Sequence, residues 1–252
     1  MMLIARPEYR GLLLSALTSI LLPALMAVPI ALTGMSRLEL GPLFLWKSLA
    51  ILGAGAVLVL RGLPGYHPFR AIGLANQATI ARGVMVVLLA ALIGEHSDSF
   101  VQSVALAVAA VAAILDGVDG WLARRTNMAS RFGARFDMET DALFIFVLAA
   151  LAWQLDKAGA WVLLSGLLRY GFVVAGFAFP WLEAPLPPSF RRKAVAVLQV
   201  VALLFVIAPF IAPSVSAPIA GAALFALAFS FLADVAWLKR QAERPEASEA
   251  GC

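Results

Sequence analysis

Five of the chain's 15 acidic residues, Asp116, Asp119, Asp137, Glu139 and Asp141, fall between positions 116 and 141, a stretch without His or Cys. Oxygen ligands alone suit a hard divalent cation such as magnesium or manganese, whereas zinc prefers imidazole or thiolate. On a helix advancing about 100° per residue, Asp116, Asp119, Gly120 and Ala123 share one face. Gly133, Asp137 and Asp141 form a second stripe by the same rule, and Glu139 points away from it. If the two helices are neighbours across a short connection at 124–131, the stripes face each other and four carboxylates meet. Such anions repel strongly in a low dielectric, so the cluster persists only when cations neutralise it or protons stay on. Two divalent ions about 3.5–4 Å apart stabilise the entering and leaving oxygens of a phosphoryl-type transfer. Gly120, Ala123 and Gly133 then leave room for metals and phosphates, while Arg124, Arg125 and Arg131 are donors for phosphate oxygens.

The elements that position these residues belong to a membrane protein. Of 252 residues, 62% are hydrophobic and 13% charged, against about 45–50% and 25% in soluble proteins. Mean hydropathy is +0.92, which also excludes a disordered chain. A hydrocarbon core needs roughly 20 apolar residues per helical span, and the sequence predicts eight, near 11–32, 43–60, 75–93, 100–120, 132–154, 160–179, 194–212 and 217–238. The expected fold is therefore all-α and polytopic.

Basic residues alternate between the connections. Arg6 and Arg10, Arg61 and Arg70, Arg124, Arg125 and Arg131, Arg191 to Lys193, and Lys239 with Arg240 lie on one side. The other side carries little beyond Arg37 and Lys157, each next to an acid or nearly so. The excess of Lys and Arg marks the cytoplasmic face, so both termini and the acidic cluster are expected there, on an inner membrane. An even number of spans follows. The formal charge of +4 speaks to orientation rather than to nucleic acid. Cys252 is the single cysteine and offers neither a disulfide framework nor a thiolate cage. Residues 66–73, with His67, Phe69 and Arg70, read equally as an interfacial helix or a loop, and the tail 241–252 reads as disordered.

The run from Asp116 to Asp141 resembles, at every fixed position, the signature D-x2-D-G-x2-A-R-x8-G-x3-D-x3-D of the CDP-alcohol phosphotransferases. The resemblance implies a six-helix core at 66–240, here preceded by a two-helix extension at 1–65, and usually a homodimer. It implies that Asp116, Asp119 and Asp137 are metal ligands, and that Asp141 both borders the two-metal site and deprotonates the acceptor hydroxyl. Gly120, Ala123, Arg124 and Gly133 would line the CDP moiety. The implied reaction moves the phospho-alcohol group of a CDP-alcohol, in lipid synthesis usually CDP-diacylglycerol, to a hydroxyl acceptor and releases CMP.

Upstream, Asn76, Thr79 and Arg82 are similar to the family's P-N-x2-T-x2-R, with Ala75 in place of the proline. They are candidates for nucleotide and phosphate contacts, against plain helix capping. Arg169 lies within a predicted span, where a guanidinium needs a partner or a wet cavity. Family members often place a basic residue on this helix facing the acceptor, so Arg169, with Arg191, Arg192 and Lys193, is a candidate for binding an acceptor phosphate such as that of glycerol 3-phosphate. Asp234 is expected to pair with Lys239 or the headgroups. A rival from another class is an ion-coupled transporter with an intramembrane carboxylate site, which predicts acids near mid-membrane and repeated broken helices, not acids gathered at one side.

Overall fold

The structure, a computed structural model, describes residues 7–66, 73–126 and 130–243, with the side chains at 7–10, 13, 26–36, 62–66, 119–124, 126 and 131 outside that description. The segment 67–72, which holds His67, Phe69 and Arg70 of the suggested interfacial helix, and the tail from 244 onward lie outside the described residues.

Eight α-helices follow in order: α1 (Pro7–Leu38), α2 (Pro42–Tyr66), α3 (Leu74–Ala91), α4 (Ser99–Thr126), α5 (Arg131–Gln154), α6 (Leu164–Ala178), α7 (Phe190–Ile207) and α8 (Pro213–Ala242). Short 3-10 turns precede α6 at Ala160–Leu163 and follow it at Pro180–Glu183. No strand occurs among the described residues. Each predicted span falls on one of these helices, and the architecture is that of a polytopic all-α membrane protein. Among the described residues, five segments are long and apolar enough to cross a bilayer: Pro42–Arg61, Leu74–Ala91, Ser99–Val118, Ala160–Ala178 and Pro213–Ala242. A shorter apolar stretch, Leu14–Leu25, lies on α1. The helices α5 and α7 fall short because charges crowd their first turns, from Arg131 to Asp141 and from Arg191 to Lys193.

The ends shift from the hydropathy limits for local reasons. Helix α4 runs on to Thr126, so Arg124 and Arg125 are helical rather than in a loop. Ser130 caps α5: its Oγ accepts the Gly133 N–H at 3.0 Å, satisfying an orphan donor of the first turn. Helix α7 stops at Ile207 because Ala208 precedes Pro209 and is driven to an extended ψ of 132°, as the pyrrolidine ring requires. Pro213 then opens α8 at the first helical position, where its missing N–H costs nothing. Helix α8 continues through Ala242, so Gln241 and Ala242 are helical and not disordered.

The chain divides into two compact units, Met1–Val147 and Leu148–Cys252. In the first, α3 packs on α1, α2 and α4. Its apolar residues point to several sides, with Ile80, Val84, Val86, Val87, Leu89 and Ala91 all buried, as befits a helix enclosed by others. Leu12, Ala16 and Ile20 of α1, Val59 of α2, Ile80 of α3 and Phe132 of α5 form one buried cluster, and Phe136 stacks on Phe132 at a centroid distance of 5.7 Å. Lys47 on α2 reaches Glu95 beyond α3, with Nζ 2.6 Å from Oε1, and donates to the Ile93 carbonyl at 2.8 Å. The second Glu95 oxygen accepts the Gly41 N–H at 3.3 Å.

In the second unit, α8 packs on α6 and α7. The end of α5 is closed by Asp156 in the left-handed region at φ 53°. Its N–H donates to the Trp153 carbonyl at 3.0 Å, and the Lys157 N–H to the Ala152 carbonyl at 3.0 Å, the paired bonds of a Schellman cap. The turn delivers the buried Lys157 ammonium to the Ala208 carbonyl at 3.1 Å and to the Ile211 carbonyl. In return the Lys157 carbonyl accepts Ser216 Oγ at 2.7 Å. One side chain thus binds two carbonyls of the turn at 208–211 that follows α7. Lys157→Met keeps the aliphatic stem and removes the donors, and is expected to destabilise the protein by about 2–3 kcal/mol, read as a lower Tm in detergent.

Candidate metal centre

Three of the four predicted aspartates come together. Asp116 on α4 and Asp137 and Asp141 on α5 place one carboxylate oxygen each within 4.8 Å of one another. The i, i+4 step between Asp137 and Asp141 puts both on one face of α5. The expected opposition of two acidic stripes from consecutive helices is what brings Asp116 to them. Asp119, Gly120, Ala123 and Arg124 lie on α4 within the same turns, but their side chains, like that of Arg131, are outside the described ones.

Arg82 of α3 completes the cluster. Its guanidinium pairs with Asp116 through Nη1, and through Nη2 with Asp137 at 2.5 Å and Asp141 at 3.1 Å. Its side chain is 0% exposed, whereas the three aspartates are 41%, 41% and 45% exposed. The cation therefore approaches from the protein interior and the anions open to the outside. A buried guanidinium demands such partners, since leaving it unpaired costs several kcal/mol. The sequence reading placed Arg82 with the nucleotide contacts and missed this role; a lone arginine in the first half of an apolar helix was the available signal.

Asn76 and Thr79 stand on the same helix and are buried. Neither caps it: the N-cap is Gly73, without a side-chain bond, and Thr79 Oγ1 donates back to the Ala75 carbonyl at 3.1 Å. Asn76 instead lies against Gly133. A Cβ on Gly133 would stand 2.5 Å from Asn76 Oδ1 and 3.2 Å from Ser130 Oγ, so the absence of a side chain there lets the amide meet the first turn of α5.

The basic candidates of the second unit are arranged differently. Arg191 and Arg192, in the first turn of α7, both pair with Asp234 of α8, Arg192 at 3.2 Å. Arg192 also donates to the Pro187 carbonyl. Asp234 is thus held by α7, not by Lys239, whose ammonium lies 3.7 Å from Glu243. Lys193 is exposed and Arg169 half-buried on α6. One turn before Arg169, Ser165 accepts Gln199 Nε2 at 3.0 Å within the unit's interior. No pattern in the sequence distinguished that pair.

The donor set fits a hard divalent ion. Three oxygens within 4.8 Å of one another can converge by side-chain movement on one octahedral magnesium, whose ligand oxygens stand about 2.9 Å apart when adjacent and about 4.1 Å when opposite. Oxygen-only ligands of this kind bind metal together with phosphate oxygens, and a metal so held neutralises a pyrophosphate.

A membrane-embedded helical protein with a half-open carboxylate cluster on consecutive helices matches a known class. The family model described as CDP-alcohol phosphatidyltransferase covers residues 72–233, and the chain belongs to that family. Among curated relatives, the "Probable phosphatidylglycerophosphate synthase" of Mycobacterium tuberculosis (strain CDC 1551 / Oshkosh) is 35% identical over 123 residues, 43% of this chain and 59% of that protein. The "CDP-diacylglycerol--glycerol-3-phosphate 3-phosphatidyltransferase" of Rickettsia typhi is 29% identical over 132 residues, 52% of this chain and 73% of its own length. The protein of the same name from Rickettsia felis is 30% identical over 132 residues and 72% of its length. The match thus spans little more than half of the mycobacterial relative. No solved structure matches the chain.

Proposed function

We propose that the protein is a phosphatidyltransferase of phospholipid synthesis that transfers the phosphatidyl group of CDP-diacylglycerol to glycerol 3-phosphate and releases CMP. The observation that carries this reading is the convergence of Asp116, Asp137 and Asp141 inside a family signature. The names of the mycobacterial and rickettsial relatives support the acceptor.

In the proposed reaction the acceptor hydroxyl oxygen forms a bond to the β-phosphorus, the pyrophosphate P–O bond breaks, and CMP leaves with the bonding electron pair. Asp141 takes the hydroxyl proton. Two divalent ions, magnesium or manganese, would be held by Asp116, Asp119, Asp137 and Asp141 and would supply charge neutralisation along the pyrophosphate. Gly120, Ala123, Arg124, Gly133, Asn76, Thr79 and Arg82 are assigned to the CDP moiety and its surroundings. Arg169, Arg191, Arg192 and Lys193 are assigned to the acceptor's phosphate; the shared Asp234 holds two of these guanidinium groups in place while leaving most of their five N–H donors available.

The distribution of basic residues supports a cytoplasmic site with both termini on that side. Residues 1–65 are an addition to a six-helix core at 66–240, which works as a homodimer. The test is CMP release by the purified protein from CDP-diacylglycerol with magnesium or manganese, across glycerol 3-phosphate, inositol phosphate and serine. Release is expected with glycerol 3-phosphate and metal; no release with any acceptor overturns the reading, and preference for another alcohol overturns the acceptor.

A further inference from the structure

We propose that Arg82 is the resident cation of the acidic cluster and that a divalent ion binds there in competition with its guanidinium. The inference rests on the metal-dependent reading above but concerns a separate event, the loading of the site.

The geometry has two sides. Arg82 enters from the enclosed face of α3 with a fully buried side chain, while the three aspartates it joins are each nearly half exposed. A hydrated ion therefore reaches the same carboxylates from the open side. Each of the three ion pairs uses the aspartate's Oδ1, and the three carboxylates are those that can close on a metal. Both cations draw on the same three carboxylates, and their own like charges repel at that distance, so each weakens the other's hold.

Arginine leaves no third way. Its guanidinium stays protonated under any working condition, so it cannot lose its charge to make room, as a lysine can. An arriving ion must either push the guanidinium aside or bind against its repulsion, and both lower the metal's affinity. The guanidinium also offsets the mutual repulsion of Asp116 on α4 with Asp137 and Asp141 on α5. A residue that only touches nucleotide would leave the metal-binding constant alone. A residue that only props up the fold would weaken metal binding when removed. The competition reading predicts the opposite sign to the second and a shift where the first predicts none.

The experiment is a titration of the full chain in detergent with Mn2+, free ion being read by electron paramagnetic resonance, without CDP-lipid or acceptor. Removing a unit charge at contact distance is expected to tighten Mn2+ binding by Arg82→Gln on the order of tenfold or more. Metal-free Arg82→Gln melts below the parent, and its Tm rises more on adding Mn2+. Arg82→Lys keeps a charge as an anchor for folding, but its point-like ammonium cannot span three carboxylates, and it is expected to fall between the two. Equal or weaker Mn2+ binding by the folded Arg82→Gln, or by Arg82→Lys where the first does not fold, overturns the proposal. Tightened binding in a protein that releases no CMP defeats the transferase reading and leaves the competition standing. CMP release by the parent with unchanged Mn2+ affinity in both variants does the reverse.

Discussion

Asp137→Asn is expected to cut metal-dependent CMP release by about a hundredfold to a thousandfold while leaving the helices in place. The variant is close to isosteric, so packing around α5 is retained and only charge and ligand strength change. Asp137 is one of three carboxylates within 4.8 Å of one another, and a metal's stabilisation of developing phosphoryl charge is worth several kcal/mol. At about 1.4 kcal/mol per factor of ten, loss of one anionic ligand out of a small set accounts for two to three decades. The amide can still accept from Arg82, which lies 2.5 Å from Asp137 Oδ1, so the cost in stability is much smaller than the cost in rate. Glu139, two residues away on the other side of the helix, provides the contrast: Glu139→Gln is expected to retain most activity. Equal losses in the two variants would sink the assignment of the α5 stripe.

Gly133→Ala carries the largest expected effect on packing. In an ordinary helix the change is favourable by up to about 1 kcal/mol. Here the new methyl meets Asn76 Oδ1 at 2.5 Å and the capping Ser130 Oγ at 3.2 Å, and Asn76 is buried with little room to turn. Overpacking of this kind costs about 1–3 kcal/mol, enough to reverse the sign. The shift also moves the first turn of α5, and with it Asp137 one turn on, so activity falls together with Tm. The double variant with Asn76→Ala removes the obstructing amide and is expected to recover much of the lost stability. If Gly133→Ala alone raises Tm, the close approach of α3 and α5 is wrong.

How far these features were visible beforehand differs by type. The eight helices were legible because bilayer thickness imposes a length and an apolar content that hydropathy reads directly. Their ends were not, because they obey local rules: Pro209 stops α7 five residues early, and Ser130 starts α5. The acidic stripes were legible because 3.6-residue periodicity fixes which side chains share a face. Which cation answers them was not, since Arg82 is 34 positions from Asp116 and only tertiary packing brings α3 against the pair. Asp234 shows the same limit: the sequence suggested the neighbour five residues on, and the fold supplied Arg191 and Arg192 from another helix. The family signature identified the aspartates but says nothing of α1 and α2, which precede the matched region.

Those two helices bear on what kind of energy holds the geometry of the carboxylate cluster. Leu12, Ala16 and Ile20 share one buried cluster with Ile80 and Phe132, so a fragment begun at residue 72 would hand part of that cluster's surface to acyl chains. Lipid tails are as oily as leucine, and the swap carries little hydrophobic penalty. What it forfeits is shape: a fluid neighbour cannot dictate a spacing, whereas a rigid one can. Helices α1 and α2 are thus expected to act less as an anchor than as a mould, and a protein trimmed of them to be inserted and helical yet imprecise where ångströms matter.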